Sequence, residues 1–210
     1  VFSEVLAMAL DPHYRKLWVV LFLMHSIFLI APFYAVAIRE RFDAPTSFLG
    51  ELAIWQMIGS SLGNLAAGII GDRMGGRKTF LFGILLLGLI LLPAPLATNL
   101  LVAKILYLGF GFFMMMTIVG KDTIIMEMAP DAKRSLFLSA SAFASMIGML
   151  ASSLASYLIW QATGSLLALI LPSSLIFLTT SLLLFTMRPH KEGELSPFAV
   201  IQRGILRYFR

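Results

Sequence analysis

The sequence predicts an all-α membrane protein with six membrane-spanning helices, and three observations carry that expectation. Apolar residues make up 59% of the 210 and charged residues only 13%, with a mean hydropathy of +0.90. Soluble domains are about 45–50% apolar and about 25% charged, so one soluble core would not hide this much apolar surface. The apolar residues also fall into six runs, each near the ~20 residues that cross a bilayer as a helix. Finally, the basic residues crowd into alternate connections, as the positive-inside bias requires.

The runs are Leu17 to Ile38, Phe48 to Ile70, Thr79 to Ala97, Leu100 to Val119, Ser135 to Trp160 and Ala162 to Met187. Barrel strands would alternate over about 10 residues instead of staying apolar for twice that length. Pro93 and Pro95 mark the exit of the third run, and Pro32 and Pro172 are positioned to kink the first and sixth, since each removes a backbone donor. Residues 1–16 form a charged lead-in without the apolar core of a signal peptide. Residues 188–210 form a basic tail in which Arg203, Arg207 and Arg210 share one helical face and Phe198, Ile201, Ile205 and Phe209 another. That pattern suits either an amphipathic helix on an anionic leaflet or a solvated terminus.

Charge placement predicts orientation. With the second connection inside, the inner cations are Arg15 and Lys16, then Arg73, Arg77 and Lys78, then Lys121, Lys133 and Arg134, and finally Arg188, Lys191, Arg203, Arg207 and Arg210. Only Arg39 and Arg41 lie outside, and Lys104 falls within the fourth run. Both termini are therefore expected in the cytoplasm, with the chain in a plasma (inner) membrane. The +5 charge is thus explained without nucleic acid. Without cysteine there is no disulfide framework or thiolate metal site, and no cofactor is expected.

The connection between the second and third runs reads Gly68-Ile-Ile-Gly-Asp72-Arg73-Met-Gly75-Gly76-Arg77-Lys78. Gly75 and Gly76 suit a tight reversal. Asp72 is placed to pair with Arg73, with Arg77 or with the positive end of a neighbouring helix. The stretch resembles the signature loop of the major facilitator superfamily, G-x-x-x-D-[RK]-x-G-x-[RK]-[RK], with Gly68, Asp72, Arg73, Gly75, Arg77 and Lys78 at every constrained position. The resemblance implies one six-helix half of a twelve-helix carrier, built as two inverted three-helix repeats that rock against the other half. It also implies that Asp72 latches to that other half on the cytoplasmic side in the outward-open state, while Arg73 and Arg77 hold the turn.

Asp11 to Lys16 resembles the approach to a seventh helix, and Ile125 to Arg134 the loop before an eleventh, so the C-terminal half is favoured. The tail Ile205 to Arg210 would equally suit a central loop. The fourth run reads Lys104-Ile-Leu-Tyr107-Leu-Gly109-Phe-Gly111 where N-terminal halves often carry Arg-x-x-Gln-Gly-x-Gly, and no proline lies near Gly148. Because half a carrier holds half a cavity and the chain opens with Val1, it is expected to be part of a longer chain or to pair with a second copy.

Few residues suit substrate or a coupling ion. His25 lies about 12 Å into the first run at 1.5 Å per residue, near the midplane, where an imidazole can carry a proton or bond a substrate. Its plainer role is a hydrogen bond to a neighbouring helix. Lys104 is costly inside a membrane unless it meets an anion, a carboxylate or the interface. Tyr107, Gly111 and Met114 are expected to continue a cavity wall from Lys104. Gln56, Ser60 and Asn64 suit interhelical bonding, and Glu51 a solvated position. Gly59, Gly63, Ala67 and Gly71, and likewise Ala140, Ala144, Gly148, Ser152 and Ser156, form stripes of small residues for close helix approach.

The function implied is alternating-access transport of a small molecule, with proton or ion coupling. Its alternative is a transporter-like sensor or assembly partner, which a flux assay separates from a carrier. An intramembrane serine enzyme ranks last, because no Gly-x-Ser-Gly phrase accompanies His25 and Ser60.

Overall fold

A computed structural model describes residues 12–93, 97–129 and 134–186, and every element in them is helical. The basic tail, the start of the lead-in, Pro95 and the loop 130–133 lie outside the described residues.

The first helix starts earlier than the apolar run, at Pro12, and is broken. Helix α1 (Pro12–Leu23) passes into a 3₁₀ segment (Met24–Leu29), and α2 (Ala31–Arg41) follows. Six residues is long for a 3₁₀ stretch. Pro32 supplies a reason: it has no N–H for the carbonyl four residues back, and it disfavours helical geometry at the residue before it. The expected kink is therefore a change of helix type just ahead of the proline.

Helix α3 (Ser47–Met74) and α4 (Gly76–Leu91) are separated by Gly75 alone. Helix α5 (Leu100–Met128) is opened by Asn99, whose side chain accepts the Val102 N–H at 2.9 Å. Helix α6 (Arg134–Thr163) stops where Gly164 adopts φ 58°, the left-handed cap that glycine takes most easily. Helix α7 (Leu166–Thr186) starts two residues later and runs on through Pro172.

By length and composition α3, α5, α6 and α7 each suit a membrane crossing. The 16 residues of α4 span only about 24 Å at 1.5 Å per residue, short of the ~30 Å hydrocarbon core. Both α3 and α5 outrun their apolar stretches. Asp72 and Arg73 lie in the last turn of α3, and α5 continues nine residues past Val119.

Small residues set the packing. Helix α5 runs between α3 and α4, and glycines mark both seams. A methyl on Gly59 would collide with the Leu108 backbone, one on Gly63 with Phe112, and one on Gly111 with Gln56. Along the other seam, Gly83 meets Thr117 and Gly120 meets Phe80. In the second stripe Gly148 approaches Phe22 of α1, where a Cβ would lie 2.6 Å from the carbonyl oxygen. These contacts bring backbones together, where dispersion acts over many atoms. Phe80, Phe137 and Phe177 are fully buried, with Phe137 stacked edge-on against Tyr14 at 5.1 Å. By contrast, α3 exposes Ile54, Met57, Leu62 and Leu65, and α6 exposes Phe143, Leu150, Leu154 and Leu158.

Candidate functional site

At the signature connection the two glycines divide the work. Gly75 alone takes positive φ, at 81° with ψ 159°, and its N–H donates to Gly71 at 2.8 Å. That region is essentially closed to residues with a side chain. Gly76 is the first residue of α4, and its constraint is space, since a Cβ would lie 2.6 Å from Thr123. Gly68 meets nothing within 4 Å.

The charges divide too. Arg77 turns away from Asp72 and reaches the end of α7, donating from Nε to the Leu184 carbonyl at 3.2 Å and from Nη2 to the Phe185 carbonyl at 2.6 Å. The last carbonyls of a helix lack partners of their own and carry the negative end of its dipole, so a guanidinium suits them. Glu127, in the last turn of α5, accepts the Gly76 N–H at 3.2 Å and so covers the positive end of α4. Asp72 is exposed and makes no hydrogen bond or ion pair with a described residue. Arg73 and Lys78 are exposed beside it. Within this half, then, Arg77 and Glu127 tie helix ends together, and Asp72 is left facing outward.

At the opposite end, Lys104 Nζ meets Glu51 Oε2 at 2.5 Å, and it lies 5.7 Å from the centre of the Phe48 ring. Lys104 therefore balances a carboxylate, and Glu51, exposed as expected, is also half of an ion pair. The expected wall from Lys104 through Gly111 is also divided. Lys104 and Gly111 face α3, whereas Tyr107 turns toward the first helix. There its ring stacks on Tyr34 at 5.2 Å and 9°, with 6% and 2% of the two residues exposed. Phe33, the neighbour of Tyr34, stacks on Trp160 of α6 at 4.8 Å. Two adjacent rings thus pin α2 to two different helices.

His25 falls in the 3₁₀ segment. Its Nδ1 lies 2.7 Å from the Leu21 carbonyl oxygen, which only accepts, so Nδ1 carries the hydrogen. Buried helix hydroxyls elsewhere are satisfied locally: Ser173 donates to Leu169 and Ser181 to Phe177, both at 2.8 Å. The Ser26, Ser174 and Tyr34 hydroxyls are buried without a partner among the described residues. Ser60 donates to Gly111 at 3.4 Å, the interhelical bond expected of it.

Sequence reasoning passed over Glu127, Tyr34, Ser26 and Ser174. It also placed Lys121 in a loop, where the structure has it inside α5 with 18% of its side chain exposed. The usable signal was spacing: Lys121 lies fourteen residues from Tyr107, close to four whole helical turns, and so on the same face.

A six-helix bundle with a charged one-residue reversal after its second long helix, and a broken first helix pinned by aromatics, is one half of a carrier fold. The sequence model of the Major Facilitator Superfamily matches residues 17–210, and the chain belongs to that family. A solved structure similar to it is the crystal structure of a D-xylose-proton symporter, at 19% sequence identity and a TM-score of 0.66. The match covers 99% of this chain and 53% of the symporter, so the chain spans about half the length of that structure. A search of the curated proteins gave no match.

Proposed function

We propose that this chain forms one half of a secondary transporter that carries a small molecule across a bilayer by alternating access. Its exposed helices α3 and α6 pack against the other six-helix half, and the first helix and α5 line the cavity between the halves. The observation that carries this reading is the division of labour at the signature connection. Arg77, Gly76 and Glu127 are used inside the half, whereas Asp72 is exposed and has no partner among the described residues. An unpaired carboxylate at a helix end held this firmly is suited to a contact made in only one of two access states. The bias of the basic residues supports a cytoplasmic position for this connection.

In this reading the 3₁₀ segment is where the first helix yields, and the Tyr34–Tyr107 and Phe33–Trp160 stacks hold its outer part closed. His25, Ser26 and Tyr34 are the groups offered to substrate or a coupling proton. Lys104 serves the outer rim through Glu51. The test is flux in proteoliposomes containing the complete carrier. Asp72→Asn is expected to lower transport while the amount of protein in the membrane stays constant; unchanged kinetics would contradict the latch.

A further inference from the structure

The first helix and α5 meet through two tyrosines. Tyr34 and Tyr107 lie with ring centres 5.2 Å apart and planes 9° from parallel, and Phe110 tilts against Tyr107 at 5.8 Å. Both residues are buried, and the Tyr34 hydroxyl has no hydrogen-bond partner among the described residues. The Tyr107 hydroxyl makes no hydrogen bond with a described residue either. Stacking explains why they do not satisfy each other. A phenol O–H lies near the plane of its ring, so two parallel phenols do not aim their hydrogens at one another. Nor can they turn to their own helices. Ser173 and Ser181 bond the carbonyl one turn back, whereas a tyrosine hydroxyl stands at the far end of a rigid ring.

The surrounding helices carry no free charge at this depth. Residues 17–38, 105–120, 135–163 and 166–186 contain no Asp, Glu, Lys or Arg. Lys104, one turn before Tyr107, is neutralised by Glu51 at 2.5 Å and faces α3. His25 gives its Nδ1 hydrogen to the Leu21 carbonyl. An ion brought against this seam would lose its water and meet no opposite charge. A neutral polar group would lose its water and gain two hydrogen bonds in an apolar setting, where each is strengthened.

We propose that Tyr34 and Tyr107 form a paired-hydroxyl site, and that the transported molecule is uncharged and presents a hydroxyl or amide group to it. Each phenol donates one hydrogen and accepts another, so the pair suits a group that does both. This site rests on the carrier reading above, which makes the seam between the first helix and α5 a cavity wall. It adds the second hydroxyl and the charge of the substrate.

The test uses the complete carrier, purified in detergent at neutral pH, with binding followed by thermal unfolding and equilibrium dialysis. The probes are matched sets: glucose with glucuronate and glucosamine, and nicotinamide and nicotinyl alcohol with nicotinate. At least one neutral probe is expected to bind and raise the unfolding temperature, and its charged analogue to bind at least about tenfold more weakly. Glucose and nicotinyl alcohol against nicotinamide then separate hydroxyl from amide. Tyr34→Phe and Tyr107→Phe keep the rings and remove one hydroxyl each. Each should weaken binding about 2- to 10-fold, and the double variant about 5- to 100-fold. Without ligand, Tyr34→Phe should unfold at a higher temperature, yet its ligand-induced rise should shrink; a hydroxyl used only for packing would leave that rise unchanged. The matched sets need no variant, so the charge comparison survives a variant that fails to fold. The site is refuted if no neutral probe binds, if charged analogues bind as well, or if the double variant binds as tightly as the parent. Flux of a charged compound that is unaffected by the double variant would remove this site and leave the carrier reading standing. Neutral binding through the tyrosines in a protein that moves nothing across proteoliposomes would do the reverse.

Discussion

The Arg77 guanidinium and the Phe185 carbonyl, 2.6 Å apart, join the start of α4 to the end of α7, 108 residues apart in sequence. Through this bond the reversal between α3 and α4 holds the end of α7 as well as its own turn. Arg77→Ala removes both donors to α7 and should destabilise the half by about 1–3 kcal/mol, the cost of stranding acceptors of a charge-assisted bond. Arg77→Lys should recover only part of this, because an ammonium lacks the planar fork that spans two carbonyls. Unfolding temperatures in detergent check both, and a fully stable Arg77→Ala would remove α7 from the account.

The glycines of α3 should separate by cause. Gly59 and Gly63 press on the α5 backbone, so Gly63→Val should cost about 1–3 kcal/mol or prevent assembly. Gly68 borders open space, so Gly68→Val should leave the stability of the isolated half nearly unchanged. In the complete carrier, Gly68→Val should lower flux, because its small size is then needed by the facing half. Parallel measurements of unfolding temperature and flux decide the matter, and equal loss of stability in the two variants would contradict the assignment.

The Lys104–Glu51 pair predicts an interaction visible in a double-mutant cycle. Glu51 is about half exposed, so a coupling near 1 kcal/mol is expected from Lys104→Gln, Glu51→Gln and the double variant. Charge removal from one partner alone should hurt more than removal from both. Strict additivity would mean that Lys104 acts on something other than Glu51.

Tyr34 offers a split between stability and function. Its hydroxyl is buried with no described partner, so Tyr34→Phe should keep the stack on Tyr107 and gain up to about 1–3 kcal/mol by removing an unsatisfied group. If that hydroxyl is kept for substrate, the same variant should transport less well. A stabler protein with unaltered transport would assign the hydroxyl no part in the site.

Much of this was legible in the residues themselves, and the exceptions have physical reasons. Hydropathy reports contact with lipid, so it located six segments but ended α3 near Ile70 and α5 at Val119. Helices do not stop where lipid does, and Asp72, Lys121 and Glu127 all lie on the parts that continue. Lys121 was counted as a loop charge for that reason alone. Pro32 announced a break in the first helix, but the 3₁₀ segment lies wholly before it, because the lost bond belongs to a carbonyl four residues earlier. Lys104 was recognisable as a cation needing a partner. Which partner it took depended on the register of α3 against α5, and that is set by Gly59, Gly63 and Gly111 meeting the opposite backbone. Arg77 was assigned to its own turn because sequence proximity favours Asp72, whereas the tertiary fold brings the end of α7, whose last carbonyls lack helical partners, within reach of the guanidinium.

The most direct test of the account follows access to the cavity face. Met114 points along the same face as Tyr107, and Met114→Cys in a cysteine-free complete carrier can be titrated with a membrane-impermeant thiol reagent from each side. With Asp72 intact, the outward-facing state should be well populated and labelling from outside substantial. Asp72→Asn should shift labelling toward the cytoplasmic side by about 5- to 30-fold in the ratio of the two rates, as loss of 1–2 kcal/mol from one of two states requires. An unchanged ratio, with both variants folded and inserted, would contradict the claim that Asp72 is a state-dependent latch.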